Sequence, residues 1–309
     1  MPGRTARHAY KDVRLQQLRG LCETARLGSL SAAAAAMGVS QPTVWEQVHA
    51  LEREFGAQLI ESHRRGCRVT EAGRALVELA SPVVAGADSL KQAFRTRRPG
   101  AEAALAVGAP QRVLVEDLPP VIAAFRKRLP NVRLKLLERS AGQGAGAVES
   151  GEADLGVVGS QENGTRSARL QCEPAYELDS LLVTPPTHPL ARRRSVGPRD
   201  LCGYSLVNAP EGFSRAEVSE TLRKLGVFAV QPRHIEAVTS AVIRHYVAMG
   251  FGVGLVLGRA GVNRFPRLHE RSMSKYFGRA SISLVWRKGA ILSEPARVFA
   301  DLVRAVSTK

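Results

Sequence analysis

Glycines at positions 28 and 38, each followed within two residues by a serine, cut the segment from Val13 to about Phe55 into short helices in quick succession. Val13, Leu15, Leu18, Leu21, Cys22 and Ala25 recur at helical spacing and predict one amphipathic helix that ends at Gly28. Ser29 to Ser31 predict a turn, with Ser31 as the N-cap of an alanine-rich helix over 32–37. Gly38 supplies the positive-φ stop. Ser40 then caps a third helix, with Pro42 in the first turn, where its missing N–H costs nothing. Two short helices joined by a tight glycine-containing turn, the second opening on polar residues, form the geometry that inserts a helix N-terminus into a DNA major groove. Val44, Val48 and Leu51 turn inward. Gln41, Pro42, Thr43, Trp45, Glu46, Gln47 and His49 are left to be divided between groove and solvent.

Thr70 and Glu71 predict the capped start of a long helix reaching about Arg98, with the acidic charge favourable at its N-terminus. Leu76, Ala80, Val83, Ala87, Leu90 and Phe94 follow one another at steps of 4, 3, 4, 3 and 4 residues, an a/d heptad pattern. Leu76, Val83, Leu90 and Phe94 are therefore expected to face a second copy of the chain; the alternative is packing against the same chain's winged helix. Pro82 is expected to kink this helix. Beyond a hinge at Arg97–Gly100, short apolar runs at 104–109, 132–138, 154–160, 179–185, 204–208, 252–258 and 282–286 alternate with helices, the signature of an α/β fold with mostly parallel strands. The expected domains are 13–70, 71–98 and 101–305.

The formal net charge of +16 favours a polyanionic partner, because neutralising phosphates releases counterions. Residues 1–98 carry +6 and residues 99–309 carry +10, so charge alone does not locate a DNA-binding end. Cys22, Cys67, Cys172 and Cys202 are widely spaced and form no ligand cluster of the kind zinc requires. Reduced thiols, no metal and no cofactor are expected. No run approaches the roughly 18–20 apolar residues of a membrane span, and the first residues lack a signal-peptide core. A cytoplasmic chain is expected.

The run LQQLRGLCETARLGSLSAAAAAMGVSQPTVWEQVHALEREFGAQLI over 15–60, with RRGCRVTEAG at 64–73, resembles the DNA-binding domain of LysR-type regulators, a winged helix-turn-helix. The resemblance implies Ala33–Ala36 in the second helix, SQP at 40–42 opening the recognition helix, LE at 51–52 closing it, and TEAG at 70–73 after the wing. It places Gln41 and Thr43 within reach of base edges, Ser31 and Ser40 near phosphates, and Arg64, Arg65 and Arg68 in the wing. Glu46 stands where relatives are usually basic and Trp45 where they are small and polar. Glu46 is expected to read a cytosine amino group or to pair with Arg68 or His49.

GEADLGVV (151–158), HPLA (188–191) and MGFGVGLV (249–256) resemble the bilobed, periplasmic-binding-protein-like effector domain of the same family, with one lobe over about 101–160 plus the C-terminal helix and the other over about 165–265. Ligands of such folds lie beyond the carboxyl ends of strands, where helix N-termini aim amides at anions. The candidate effector residues are Ala109, Pro110, Gln111, Arg112, Gly159, Ser160, Asn208, Gly212, Phe213, Val238 and Thr239. Arg112 is the one fixed cation among them, for a carboxylate or phosphate, or else a surface arginine. Arg192–Arg194 read as a solvated face. The resemblance implies a homodimer or homotetramer on an inverted repeat of double-stranded DNA, a small anionic effector, no membrane and no catalysis. A bilobed enzyme or solute-binding protein, and an architectural DNA binder needing no ligand, are the competing readings.

Overall fold

The computed structural model describes residues 13–63, 66–95, 103–139, 143–159, 167–210, 216–225, 235–261 and 265–308. Three helices open the chain: α1 (Leu15–Leu27), α2 (Leu30–Met37) and α3 (Gln41–Phe55). Each ends on a left-handed glycine, Gly28, Gly38 and Gly56, with φ of 64°, 67° and 62°. The cap of α2 is Ser29 rather than Ser31: Ser29 is extended and its side chain accepts from the Ala32 amide. The left-handed turn at Gly28 delivers the extended conformation one residue later, so the helix begins at Leu30 and Ser31 falls inside its first turn. Ser40 caps α3 by accepting from the Thr43 amide, with Pro42 in the first turn. A core of Leu21, Ala33, Val44, Val48, Leu51 and Leu59 joins the three helices to the antiparallel wing, β1 (Ile60–His63) and β2 (Gly66–Val69).

The turn out of the wing explains the TEAG motif. The Thr70 hydroxyl donates to the Gln58 carbonyl at 2.6 Å and accepts from the Gly73 amide at 2.9 Å, while the Thr70 amide donates to the Leu59 carbonyl at 3.0 Å. A Cβ at Gly73 would run into that same Leu59 carbonyl oxygen. The helix that follows, α4 (Glu71–Arg95), is continuous through Pro82. Of the four residues expected on its seam, Val83, Leu90 and Phe94 face outward and Leu76 does not. Val77 enters the winged-helix core with Leu76 packed beside it, and Ala80 and Val84 cover Cys22 on α1. Leu79, Val83, Leu90 and Phe94 are left exposed, by 74, 55, 58 and 62%. Leu76 therefore serves its own chain, because α1 needs an apolar lid and the first turns of α4 supply it.

The rest of the chain runs β3 (Ala104–Ala109), a π-helical turn (Val113–Asp117), α5 (Leu118–Arg128), β4 (Arg133–Glu138), α6 (Gly144–Glu149), β5 (Leu155–Gly159), β6 (Leu170–Thr184) and α7 (Pro189–Arg192). It continues through β7 (Leu206–Asn208), α8 (Ala216–Lys224), β8 (Ile235–Glu236), α9 (Ser240–Ala248), β9 (Val253–Gly258), β10 (His269–Ser272), α10 (Ser274–Phe277), β11 (Arg279–Arg287) and α11 (Glu294–Arg304). The strand order is β4-β3-β5-β11-β6-β9-β7-β8, with β10 also on β6. Parallel ladders join β3 to β4 and β5, and β7 to β8 and β9. Between these two lobes the long strands β6 and β11 run antiparallel. At about 3.3 Å per residue β6 spans about 50 Å, its first part pairing β11 in one lobe and its last part pairing β9 and β10 in the other. The first half of β6 escapes a reading of apolar runs because it contains Pro174. That proline is accommodated at a bulge, where Ile282 faces Tyr176, Ser283 faces Pro174 and Ala175 is the extra residue.

The effector lobes dock on α4 of the same chain. Asp88 pairs with Arg19 of α1 and with Arg287 of β11, the latter at 3.3 Å. Ser89 Oγ accepts from the Ile291 amide at 2.8 Å. Gly289, with φ of 81°, lies so close to the Pro82 backbone that no side chain fits.

Replacing Gly73 with Ala is expected to destabilise the winged helix by about 1–3 kcal/mol, the usual scale of overpacking. Urea unfolding monitored through Trp45 measures it, and an unchanged midpoint would contradict the contact.

Candidate nucleic-acid interface and interlobe site

The outward face of α3 carries Gln41, Pro42, Trp45 and Glu46, all exposed, with Thr43 and His49 half-buried beside them. Ser31 Oγ donates to Gln41 Oε1 at 2.7 Å, which ties α2 to the first residue of α3 and holds that amide in place. Ser40 Oγ and Thr43 Oγ1 lie 2.8 Å apart. The Trp45 and His49 rings meet edge to face at 3.9 Å. His49 Nδ1 lies 2.6 Å from Glu52 Oε2, and Glu52 Oε1 accepts from the amides of Leu59 and Ile60 at 2.8 and 3.3 Å. Glu52 thus closes α3 onto the wing. His49 lies against Glu52, and Glu46 is ion-paired with neither His49 nor Arg68 among the described residues. Gln47 does not belong to the outward face: a Cβ at Gly20 would lie 2.6 Å from its Oε1, so its amide fills the groove left by that glycine on α1. Arg68 is exposed on β2, opposite Glu61. Arg64 and Arg65 lie outside the described residues.

At the carboxyl end of β3, Ala109 is buried and its carbonyl accepts from the Arg139 amide at 3.0 Å, and the Pro110 carbonyl accepts from Leu114 at 3.1 Å. Gln111 is half-buried. The following turn is π-helical, with the Leu118 amide donating to the Val113 carbonyl. Pro119 and Pro120 follow it in the first turn of α5, where their missing N–H costs nothing. Glu116 and Asp117 are both buried in this turn.

Arg112 is consequently not a free cation. Its Nη2 donates to Asp117 Oδ2 at 2.7 Å and its Nη1 lies 3.8 Å from Glu116 Oε2, with only 14% of the side chain exposed. Read alone, Arg112 is a ligand group; read with the carboxylates at i+4 and i+5, it is neutralised within its own turn. Burial pulls its pKa down, but the Asp117 charge and hydrogen bond, with Tyr176 and Glu116, together leave it above the ordinary value. The Tyr176 hydroxyl donates to Asp117 Oδ2 at 2.7 Å, and burial followed by the Asp117 charge pushes that phenol well above its usual range.

The other lobe reaches the same cluster. Glu116 Oε1 accepts from Ser240 Oγ and from Arg244 Nη1, both at 2.9 Å. Arg244 in turn pairs with Glu270 of β10, at 3.1 Å from Nη2 and 3.2 Å from Nε, and lies 4.3 Å above the Phe265 ring. Burial raises the pKa of Glu116 against the opposing pull of Arg244 and Arg112. Thr239 caps α9, Val238 is exposed, and Gly159 ends β5. Asn208 is buried at the carboxyl end of β7, with its Nδ2 lacking a hydrogen-bond partner. Ser160, Gly212 and Phe213 lie outside the described residues. Glu116, Asp117, Tyr176, Arg244 and Glu270 went unnoticed in the sequence; the signal available was an acidic pair set between an arginine and two prolines.

Comparison with known proteins decides the family. Residues 15–74 match the bacterial regulatory helix-turn-helix of the lysR family, and residues 98–308 match the LysR substrate binding domain. The chain belongs to the LysR family. The HTH-type transcriptional regulator CysB of Burkholderia cenocepacia is 30% identical over 94% of this chain and 92% of that protein. Full-length OxyR from Pseudomonas aeruginosa shares the fold with a TM-score of 0.59 at 22% identity, covering 96% of this chain and 99% of that one. Full-length CbnR, solved with its target DNA, does so with a TM-score of 0.52 at 21% identity, over 96% and 100%. This LysR protein is a DNA-binding transcriptional regulator with an effector-binding domain, not an enzyme. Among the described residues no helix is long and apolar enough to cross a membrane.

Because removing one partner of a buried ion pair leaves the other uncompensated, Arg112→Ala in this LysR regulator is expected to lower effector-domain stability by about 3–5 kcal/mol. Calorimetric unfolding tests this, and a stability within experimental error of the parent would mean that Asp117 does not depend on Arg112.

Proposed function

We propose that the protein acts in the cytoplasm as a homodimer, or a dimer of dimers, on an inverted-repeat operator, and that a small anionic molecule bound between the lobes changes its DNA affinity. The outward face of α3 is the observation that carries this reading. Gln41, held by Ser31, and Thr43 sit at the helix start where base edges are reached, and an amide so fixed discriminates an adenine by about 1–3 kcal/mol. The exposed Glu46 offers only acceptors, which suits a cytosine amino group. Trp45 and His49 lie beside it, while Ser40 and the wing arginines Arg64, Arg65 and Arg68 serve the backbone. The exposed stripe of Leu79, Val83, Leu90 and Phe94 supports pairing with a second copy, since an apolar row of this regularity on a solvent face calls for a partner. The domain division 13–70, 71–98 and 101–305 follows the same lines.

Replacing Gln41 and Thr43 with Ala is expected to weaken the cognate operator selectively, whereas Arg68→Ala lowers cognate and random affinity alike and reduces the salt slope by about 1. Fluorescence anisotropy on both DNAs separates the two; equal losses from the α3 variants would remove them from base reading. The Val83→Asp/Leu90→Asp double variant is expected to sediment as a monomer with little operator affinity, because two half-sites then no longer act at high effective concentration. A dimer persisting at micromolar concentration would assign the stripe elsewhere.

A further inference from the structure

Glu116 is held as a bound carboxylate would be. It belongs to the π turn of one lobe, yet the groups that grip its Oε1, Ser240 and Arg244, belong to the other lobe, 124 and 128 residues further along the chain. Ser240 opens α9, a helix of 9 residues whose first-turn amides add positive potential at that end. Arg244 has supports besides Glu116: its Cζ lies 4.3 Å above the Phe265 ring, and its Nε and Nη2 are held by Glu270. The grip therefore remains built if Glu116 leaves. Two further donors near these elements are unused: Arg112 Nη1, 3.8 Å from Glu116 Oε2, and Asn208 Nδ2, both buried and without a hydrogen-bond partner. Asn208 is 6% exposed, and its carbonyl is bound by the Ala237 amide just ahead of α9.

We propose that Glu116 is the resident occupant of an oxyanion site formed by Ser240, Arg244 and the start of α9, and that the effector binds by displacing it with a carboxylate or another oxyanion. This rests on the interlobe crevice being the effector site. Addition without displacement is disfavoured, because the cluster already sets three carboxylates, Glu116, Asp117 and Glu270, against two guanidinium groups, Arg112 and Arg244. A further anion beside Glu116 would meet like charge in a poorly screened interior. Exchange keeps the charge balance, replaces a covalently tethered carboxylate by a free one, and cuts the direct tie from the Glu116 turn to α9. The ligand then decides how the lobes are joined.

Glu116→Ala removes a CH2–COO− group, the size of acetate, and gives a direct test in the full-length protein. Sodium acetate is titrated against sodium chloride at equal ionic strength, with thermal unfolding and calorimetry as readouts. Acetate is expected to stabilise Glu116→Ala saturably at about tenfold lower concentration than it does the parent, and adding Ser240→Ala is expected to weaken that binding several-fold. Should Glu116→Ala not fold, Glu116→Gln keeps the volume, loosens the hold on Arg244 and is expected to shift the acetate response the same way. Equal responses to acetate and chloride in both variants would overturn the displacement. If those variants still bind the operator, only the displacement falls and the regulator reading stands; loss of cognate preference is judged separately, on the α3 variants.

Discussion

The guanidinium of Arg244 is the group on which the arrangement of the two lobes depends. Buried to 4% exposure, it is tolerable only with its charge and donors matched, and the matches come from Glu270 of its own lobe and Glu116 of the other. An ion taken out of water at such cost makes the interface between lobes all or nothing. Either Glu116 is seated, with Ser240 donating to it, or another anion takes the place. An apolar contact of the same area would slide by degrees; under the proposed displacement this one has two discrete states, which is what a switch needs.

That switch has a physical neighbour in the linker. Tyr176, which anchors Asp117, sits on β6 opposite Ile282 of β11, at the bulge made by Pro174. Strand β11 ends at Arg287, which shares Asp88 of α4 with Arg19 of the first DNA-binding helix. Two residues further on, Gly289 rests on the Pro82 backbone where no Cβ fits. A shift of β11 along its axis would therefore be felt by α4 and α1 together. Contiguity alone does not make a signal. The contacts at Asp88 and Gly289 supply the contiguity; coupling itself would have to be measured.

How much of this was legible in the sequence follows from contact range. The helices α1 to α3, their glycine stops and the Ser40 cap are decided by neighbours a few residues apart, so periodicity and capping chemistry located them. The misplaced cap at Ser31 has the same origin: three serine or leucine residues after Gly28 admit more than one start, and only the backbone at Ser29 decides. The seam of α4 was harder, because the helix is apolar on two faces. Leu76 and Ala80 fit a heptad as well as Leu79 and Val83 do, and which face meets α1 is a tertiary fact. The interlobe cluster lay beyond reach. Glu116, Tyr176, Arg244 and Glu270 are joined across up to 128 residues, and nothing local marks any one of them as a partner.

The charge excess acquires a different meaning once the interlobe cluster is seen. Although residues 99–309 carry +10, the buried cluster between the lobes holds more carboxylates than guanidinium groups. The positive excess must therefore lie elsewhere, as at the exposed Arg192, which ends α7, and Arg193 and Arg194 beyond it, where Arg271 fixes the turn by donating to the carbonyls of Ala191, Arg193 and Arg194. Surface charge of this kind acts at a range set by the Debye length, about 8 Å at physiological ionic strength, and raises the local concentration of any polyanion. Inside the cluster carboxylates already outnumber guanidinium groups, so geometry and hydrogen bonding, rather than net positive charge, would have to discriminate among the small anions proposed to enter it.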